Sequence, residues 1–381
     1  MWAAASLAPA GDERKERSTL RFSIYSEMQH WPGKTPERLY AEVAEQVVHA
    51  DRLGYSSYAI IEHLFFPQFS ISPDPLSFFA QLAPKTKQIH FRTMLHVLPY
   101  HNPTMLASRI AEAEILLDGR YEFGVGRGHG WIPPKAGVRF DDVRELYDES
   151  LEVLFKALEN DRFSHHGRFY DIDDSHLQPP PPKRRMRIFV GGTSDYTYET
   201  AGRKGYSVAV PPLLPYKALE PQLDIYRESC AKHGNEPDIV WIHACYMDED
   251  REVAKRDAEL GMRRFLEGNA SPLAERASDE ELQKAGYGFY ASGIMEQLAT
   301  TPYDEMIAGD IVWVGTPEDV IERIEQTREV CEGLTEVAIT VNPGGFEHWK
   351  AIKTQELFAD LVIPHFAGAR DAIGEKAGAI A

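Results

Sequence analysis

The chain has 381 residues, 43% apolar and 26% charged, so a large core is available, and 59 acidic residues against 41 basic ones give a net charge of −18. That balance argues against nucleic acid or an anionic membrane surface as partner, and no run approaches the roughly 18 apolar residues of a membrane span. Cys230, Cys245 and Cys331 have no metal-ligand spacing and cannot all pair, so they read as structural thiols of a cytoplasmic protein.

Residues 1–18 pass from a short apolar stretch directly into Asp12–Arg17, with no basic region ahead of it. They read as a disordered leader rather than a signal peptide, and 19–381 as one domain. Arg21–Met28 has the pattern of a strand. Pro36–Leu53 carries Leu39, Val43, Val47 and Ala50 at helical spacing and stops at Gly54. Strands are predicted at Tyr58–Ile61, Phe91–Leu98 and Tyr121–Val125, and helices at Pro75–Ala83, Thr104–Leu117 and Asp141–Leu158.

An excursion follows: a hairpin over Phe163–Ile172 and a stiff connection at Pro179–Pro182. Alternation resumes with strands Arg187–Val190, Tyr206–Val210 and Ile239–Met247, and helices Tyr196–Lys204, Ala218–His233 and Glu252–Leu266. Residues 269–310 read as irregular, Gly- and Tyr-rich, and of a length that suggests a mobile lid. A helix over Pro317–Cys331 precedes the last strand, Glu336–Val341, and Leu357–Phe366 closes the chain. Eight β-then-α units without a dinucleotide fingerprint point to an α/β fold, a (β/α)8 TIM barrel with insertions after the fourth helix and before the last strand.

In such a barrel, functional groups gather just after the strands. Three junctions are chemically rich. Glu62-His63-Leu64-Phe65 follows strand two, and Gly124-Val125-Gly126-Arg127-Gly128-His129-Gly130 follows strand four. Gly191-Gly192-Thr193-Ser194-Asp195-Tyr196-Thr197 follows strand five. The second is no dinucleotide loop, because His129 stands where a third glycine is needed. It is either a tight turn or a place where backbone meets a flat ligand, with Arg127 balancing an anion. The third has a glycine pair and hydroxyls opening a helix: a phosphate cradle, or a plain N-cap at Ser194. No metal is expected. Glu62-His63 lacks the second histidine of a zincin, and His165-His166 has no further ligand at the required spacing.

Several segments occur in the order found in one family: Ile61-Glu62-His63; Thr93-Met94-Leu95 leading to Leu98-Pro99; Gly119-Arg120-Tyr121-Glu122-Phe123-Gly124 with Gly126-Arg127-Gly128; Ser194 with Thr197 and Gly205; and Val314-Gly315-Thr316-Pro317-Glu318-Asp319-Val320. On these the chain resembles the bacterial luciferase-like, flavin-dependent monooxygenases from Arg21 to Phe366. The resemblance implies reduced FMN and O2 as cosubstrates, a small organic substrate, a separate flavin reductase and a homodimer. It implies a catalytic role for His63 in forming and stabilising the flavin oxygen adduct, a proton-transfer task suited to an imidazole of ordinary pKa. Met94 and Leu95 match a bulge under the flavin ring, often with a non-proline cis peptide. Arg127, Ser194 and Thr197 match phosphate ligands, and Gly126, His129, Gly191 and Thr193 complete the expected cofactor site. Gly126 replaces a reactive cysteine of luciferase and Thr193 a glutamate, so light emission is not implied. The alternatives are an F420-dependent hydride-transfer oxidoreductase on the same barrel, and a non-catalytic flavin-binding protein.

Overall fold

The computed structural model describes residues 20–367; the leader expected over 1–18 lies outside them. Among the described residues the strands are β1 (Arg21–Ser26), β2 (Ser57–Ile60), β3 (His90–Val97), β4 (Tyr121–Gly126), β5 (Phe163–His166), β6 (Asp171–Ser175), β7 (Ile188–Gly191), β8 (Ser207–Val210), β9 (Ile239–Met247), β10 (Val312–Gly315) and β11 (Leu334–Thr340). Eight of them pair in parallel in the order β9-β11-β1-β2-β3-β4-β7-β8, and β8 pairs back onto β9 to close the ring. These are the eight strands expected from the sequence. The two insertions also fall where expected: the antiparallel β5–β6 hairpin after the fourth helix, and a helical segment ahead of β10.

The helices are α1 (Pro36–Leu53), α2 (Pro75–Ala80), α3 (Pro103–Leu116), α4 (Val143–Glu159), α5 (Asp195–Lys204), α6 (Tyr216–His233), α7 (Arg251–Ala270), α8 (Asp279–Lys284), α9 (Ile294–Ala299), α10 (Tyr303–Ala308), α11 (Pro317–Val330) and α12 (His348–Leu357). Local chemistry explains their ends. Thr35 caps α1 by accepting from the Arg38 N–H, Pro36 occupies the first turn, and Gly54 closes the last turn at φ 85°. Val43, Val47 and Ala50 turn inward and are fully buried. The motif at 314–320 proves to be a helix cap. Thr316 and Asp319 form a reciprocal capping box, and Asp319 also holds Arg251. None of the helices is long and apolar enough to cross a membrane.

Two expectations need correction. Residues 269–310 are not irregular, since α8, α9 and α10 lie within them, each six residues long. Such helices span less than two turns, too short to display a periodicity, and local caps such as the Ser278–Glu281 box hold them. The strand β10 was not anticipated. Ala244 of β9 pairs with Thr340 on one edge and with Val312 on the other, so β10 occupies the edge that β8 leaves beyond Val210.

The N-terminal mouth of the barrel is closed by ions. Arg92 is fully buried and reaches Glu122 Oε2 (2.6 Å) and Glu336 Oε1 (2.7 Å). Arg187 bridges Glu336 and Asp238, with 2.6 Å to the latter. Phe189 is flanked by both guanidinium groups, 4.1 and 4.5 Å from its ring. These cations hold the Glu336 carboxyl well below the usual range despite its complete burial.

Candidate functional site

The principal cavity opens at the other mouth, where β1, β2, β3, β4, β7, β8 and β9 end. Met94, Leu95, Gly126, Arg127, His129, Gly191, Thr193, Ser194 and Thr197 all line it; His63 does not.

One wall is the bulge of β3. The Met94–Leu95 peptide is cis, and the pairing of β3 with β4 shifts register between Thr93 and His96. β4 presses closely on the bulge. A Cβ on Gly124 would lie 2.8 Å from the Leu95 Cβ, and one on Gly126 only 2.5 Å from Leu95 Cδ1. These two glycines therefore make room for Leu95, which is a different reason from the close ligand approach inferred from the sequence.

A polar end is built at the start of α5. Ser194 stands at the N-cap position but makes no side-chain cap; its hydroxyl pairs instead with Thr197 Oγ1 at 2.9 Å. The first turn of α5 thus keeps uncapped N–H groups beside two hydroxyls, which suits an anion. Two arginines line the same cavity. Arg127 donates to the carbonyls of Ala285 (2.9 Å) and Gly286 (2.8 Å) and lies 4.4 Å from the Tyr287 ring. Arg144, on α4, lies 5.0 Å over the Tyr196 ring and makes no hydrogen bond to a described residue. Arg144 escaped the sequence reading because it sits inside a helical period, where an arginine looks like a solvated face.

Another part of the lining is aromatic. His129 stacks on Trp131 (centroids 4.6 Å, 4° apart) and bonds through Nδ1 to the Tyr290 hydroxyl at 2.8 Å. Burial holds its pKa down to about 4. His63 stacks on Phe69 at 4.1 Å, and Trp131 Nε1–H donates to its Nε2 at 3.3 Å. Phe69 and Trp131 line the cavity with His63 behind them. Burial, reinforced by His129, lowers the His63 pKa well below 6.5, so its imidazole is neutral at working pH rather than titrating there. Tyr287, Phe289, Tyr290 and Met295, from the segment read as a lid, complete the enclosure.

Two carboxylates at strand ends behave differently. Glu62 accepts from His96 Nδ1 (2.8 Å), His101 Nε2 (2.6 Å) and the Val97 N–H (3.2 Å). These bonds and the two imidazoles hold it at about 2 against its burial. One donor or acceptor atom from each of the three lies within 4.8 Å of the others, so the fold gathers His96 and His101 on Glu62 rather than the adjacent His63. Glu27, after β1, also lines the cavity and has no cationic partner among the described residues. The sequence placed Glu27 inside the first predicted strand, Arg21–Met28, whereas β1 ends at Ser26 and leaves Glu27 just past it.

Comparison with known proteins identifies the family and the fold. The profile of the luciferase-like monooxygenases matches residues 20–331. The chain is 26% identical over 369 residues to the oxygenase component of a flavin-dependent trigonelline monooxygenase from Acinetobacter baylyi, covering 91% of this chain and 96% of that one. It is 25% identical over 331 residues to 2,5-diketocamphane 1,2-monooxygenase 2 from Pseudomonas putida, covering 81% and 88%. Its fold matches the solved oxygenating constituent of 3,6-diketocamphane monooxygenase from Pseudomonas putida, in complex with FMN. The TM-score there is 0.72 at 22% identity, covering 91% of this chain and 98% of that one.

Proposed function

The chain belongs to the luciferase-like monooxygenase family, and from that premise we propose that it uses reduced FMN, delivered by a separate flavin reductase, to insert one oxygen of O2 into a small organic substrate. The observation that carries this reading is the joining of a polar, cationic part and an aromatic part in one cavity. An uncapped helix start with paired hydroxyls and two arginines forms one part of its lining, and an aromatic enclosure that meets Arg127 at Tyr287 forms another. The residues fit the cofactor: Ser194, Thr197 and the α5 amides would hold the phosphate, and the Leu95 bulge would support the ring. Reduced FMN supplies the electrons that activate dioxygen. The chain's own residues bind and orient, and Trp131, Tyr287, Phe289 and Tyr290 exclude water, which would otherwise divert oxygen chemistry to free hydrogen peroxide.

The test is titration of FMN, oxidised and anaerobically reduced, followed by oxygen uptake with a reductase, NADH and a panel of substrates. FMN binding with substrate-dependent product supports the reading. Tight F420 binding without FMN binding would overturn it, and FMN binding without turnover on any substrate would favour a flavin-binding protein.

The two arginines are expected to act differently. Arg144→Ala should weaken FMN binding by at least about tenfold, the size of one charge-assisted bond, and leave the lid closed. Arg127→Ala should weaken FMN similarly and also loosen the lid, because the guanidinium holds the Ala285 and Gly286 carbonyls. Fluorescence titration of both variants, with limited proteolysis alongside, separates the roles. Unchanged FMN affinity in both would place the phosphate elsewhere.

Residues 276–293 are expected to open and close over the cavity. They are held by the two Arg127 bonds, the His129–Tyr290 bond, the exposed Lys284–Asp141 pair at 2.9 Å and a small apolar cluster of Val143, Leu282 and Tyr287 that is separate from the main core, a local set of contacts that can open without the barrel. Cleavage within this segment should slow when FMN and substrate are added. A rate indifferent to both would make it a fixed packing insertion.

A further inference from the structure

The cavity contains one carboxyl that neither the phosphate end nor the Glu62 cluster engages. Glu27 is 3% exposed and lines the cavity. Its Oε2 accepts the side-chain amides of Gln29 (3.1 Å) and Asn269 (3.0 Å). Both amides are fixed in turn. Each donates to the Phe265 carbonyl, at 3.3 and 2.9 Å, and Gln29 Oε1 accepts from the Gly344 N–H at 2.9 Å. The carboxyl is therefore locked in orientation. Its other oxygen, Oε1, has no partner among the described residues and yet is not an enclosed orphan atom, so it is open to the cavity.

No cation pairs with it among the described residues. On β1, Tyr25 lines the same cavity, and burial raises its hydroxyl pKa. From α7 comes only the neutral Asn269, and Glu62 after β2 is committed to His96 and His101. On the β4 loop, His129 stays neutral; Arg127 and, on α4, Arg144 line the same cavity but neither pairs with Glu27 or shifts its carboxyl. Burial outweighs the Asn269 hydrogen bond and lifts the Glu27 carboxyl to about 8. A carboxyl whose Oε2 already accepts two N–H groups carries its proton on Oε1, facing the empty space.

We propose that Glu27 is the specificity-determining donor of the substrate pocket, its Oε1–H bonding to a carbonyl oxygen of the substrate. A carbonyl fits better than a hydroxyl. It is a pure acceptor, whereas a hydroxyl would also need an acceptor for its own proton, and Oε2 is already filled. This inference rests on the monooxygenase reading above.

The test uses matched pairs, cyclohexanone against methylenecyclohexane and acetophenone against α-methylstyrene, titrated calorimetrically into the FMN-loaded protein. Failure of the FMN loading itself would strike the functional reading; success there leaves only Glu27 in question. Each ketone is expected to bind at least about tenfold more tightly than its hydrocarbon. Glu27→Gln, which keeps the shape, the accepting oxygen and an N–H donor toward the cavity, should retain that preference; Glu27→Leu should lose it. The wild-type preference should fade as pH rises past about 8, when Glu27 ionises, while that of Glu27→Gln stays level. Because this pH contrast needs only the wild type and the conservative variant, poor folding of Glu27→Leu cannot hide the result. Ketones that bind no better than hydrocarbons, a preference that survives in Glu27→Leu, the same pH course in wild type and Glu27→Gln, or tighter binding of N-methylpyridinium than of either ketone overturns the proposal.

Discussion

Arg92→Met is expected to destabilise the protein by about 3–5 kcal/mol, the usual consequence of removing one partner from a buried ion pair. Arg92 is 1% exposed and binds two carboxylates at once. Its loss leaves Glu336, with no exposed surface, to Arg187, the more distant Arg21 at 3.8 Å and the Ser23 hydroxyl. The pH dependence identifies the cause. In the wild type the Glu336 pKa lies below its unfolded value, so its stabilisation is complete above about pH 5 and fades only as pH falls through the depressed value. In the variant the carboxyl loses a cation and keeps its burial, which moves its pKa upward, so mild acid now relieves an uncompensated charge. Urea denaturation at pH 7 and at pH 5 should show the gap between variant and wild type narrowing on acidification. A gap that is constant with pH would mean that Arg92 matters through packing on Phe189 rather than through Glu336.

The same network shows why the sequence revealed the barrel more readily than its chemistry. The helix α1 is bounded by Thr35-Pro36 and Gly54, and β9 is a nine-residue run with every residue buried; both signals are local, and both were legible. The network's members, Arg92, Glu122, Arg187, Asp238 and Glu336, are far apart in sequence, and each looks like an ordinary charged residue near a strand start. Only closure of the ring makes them neighbours. The cavity follows the same rule. Residues in glycine- or hydroxyl-rich junctions, such as Gly191 and Ser194, stood out. Arg144 was hidden in a helix, and Glu27 inside the first predicted strand, its importance coming from Asn269, which is remote in sequence at the end of α7. The segment 269–310 stood out by its length but not by its form, because six-residue helices depend on what they pack against. His63 stood out by its motif, yet its surroundings, which decide its charge, come from Phe69, His129 and Trp131.

His63→Ala is expected to leave FMN affinity near normal while product yield falls about 10²-fold and hydrogen peroxide release rises. The geometry suggests how a histidine behind the cavity wall could still take part. An indole N–H only donates, so Trp131 makes His63 Nε2 an acceptor and leaves the ring proton on Nδ1. Nδ1 is buried and finds no acceptor among the described residues, an unusual cost for a folded protein to carry. A donor held without an acceptor is suited to oxygen bound in the cavity once Phe69, stacked on the ring at 4.1 Å and itself part of the wall, moves aside. Because burial keeps the imidazole neutral, coupling of oxygen use to product should be flat across about pH 6–8, with no limb near the ordinary histidine value of about 6.5. His63→Asn, which retains an N–H donor on a shorter side chain, should recover part of the coupling, whereas a role confined to packing would be served as well by leucine. Full coupling in His63→Ala, or equal rescue by His63→Leu and His63→Asn, would remove His63 from the oxygen chemistry and leave it as the support on which Phe69 and Trp131 rest.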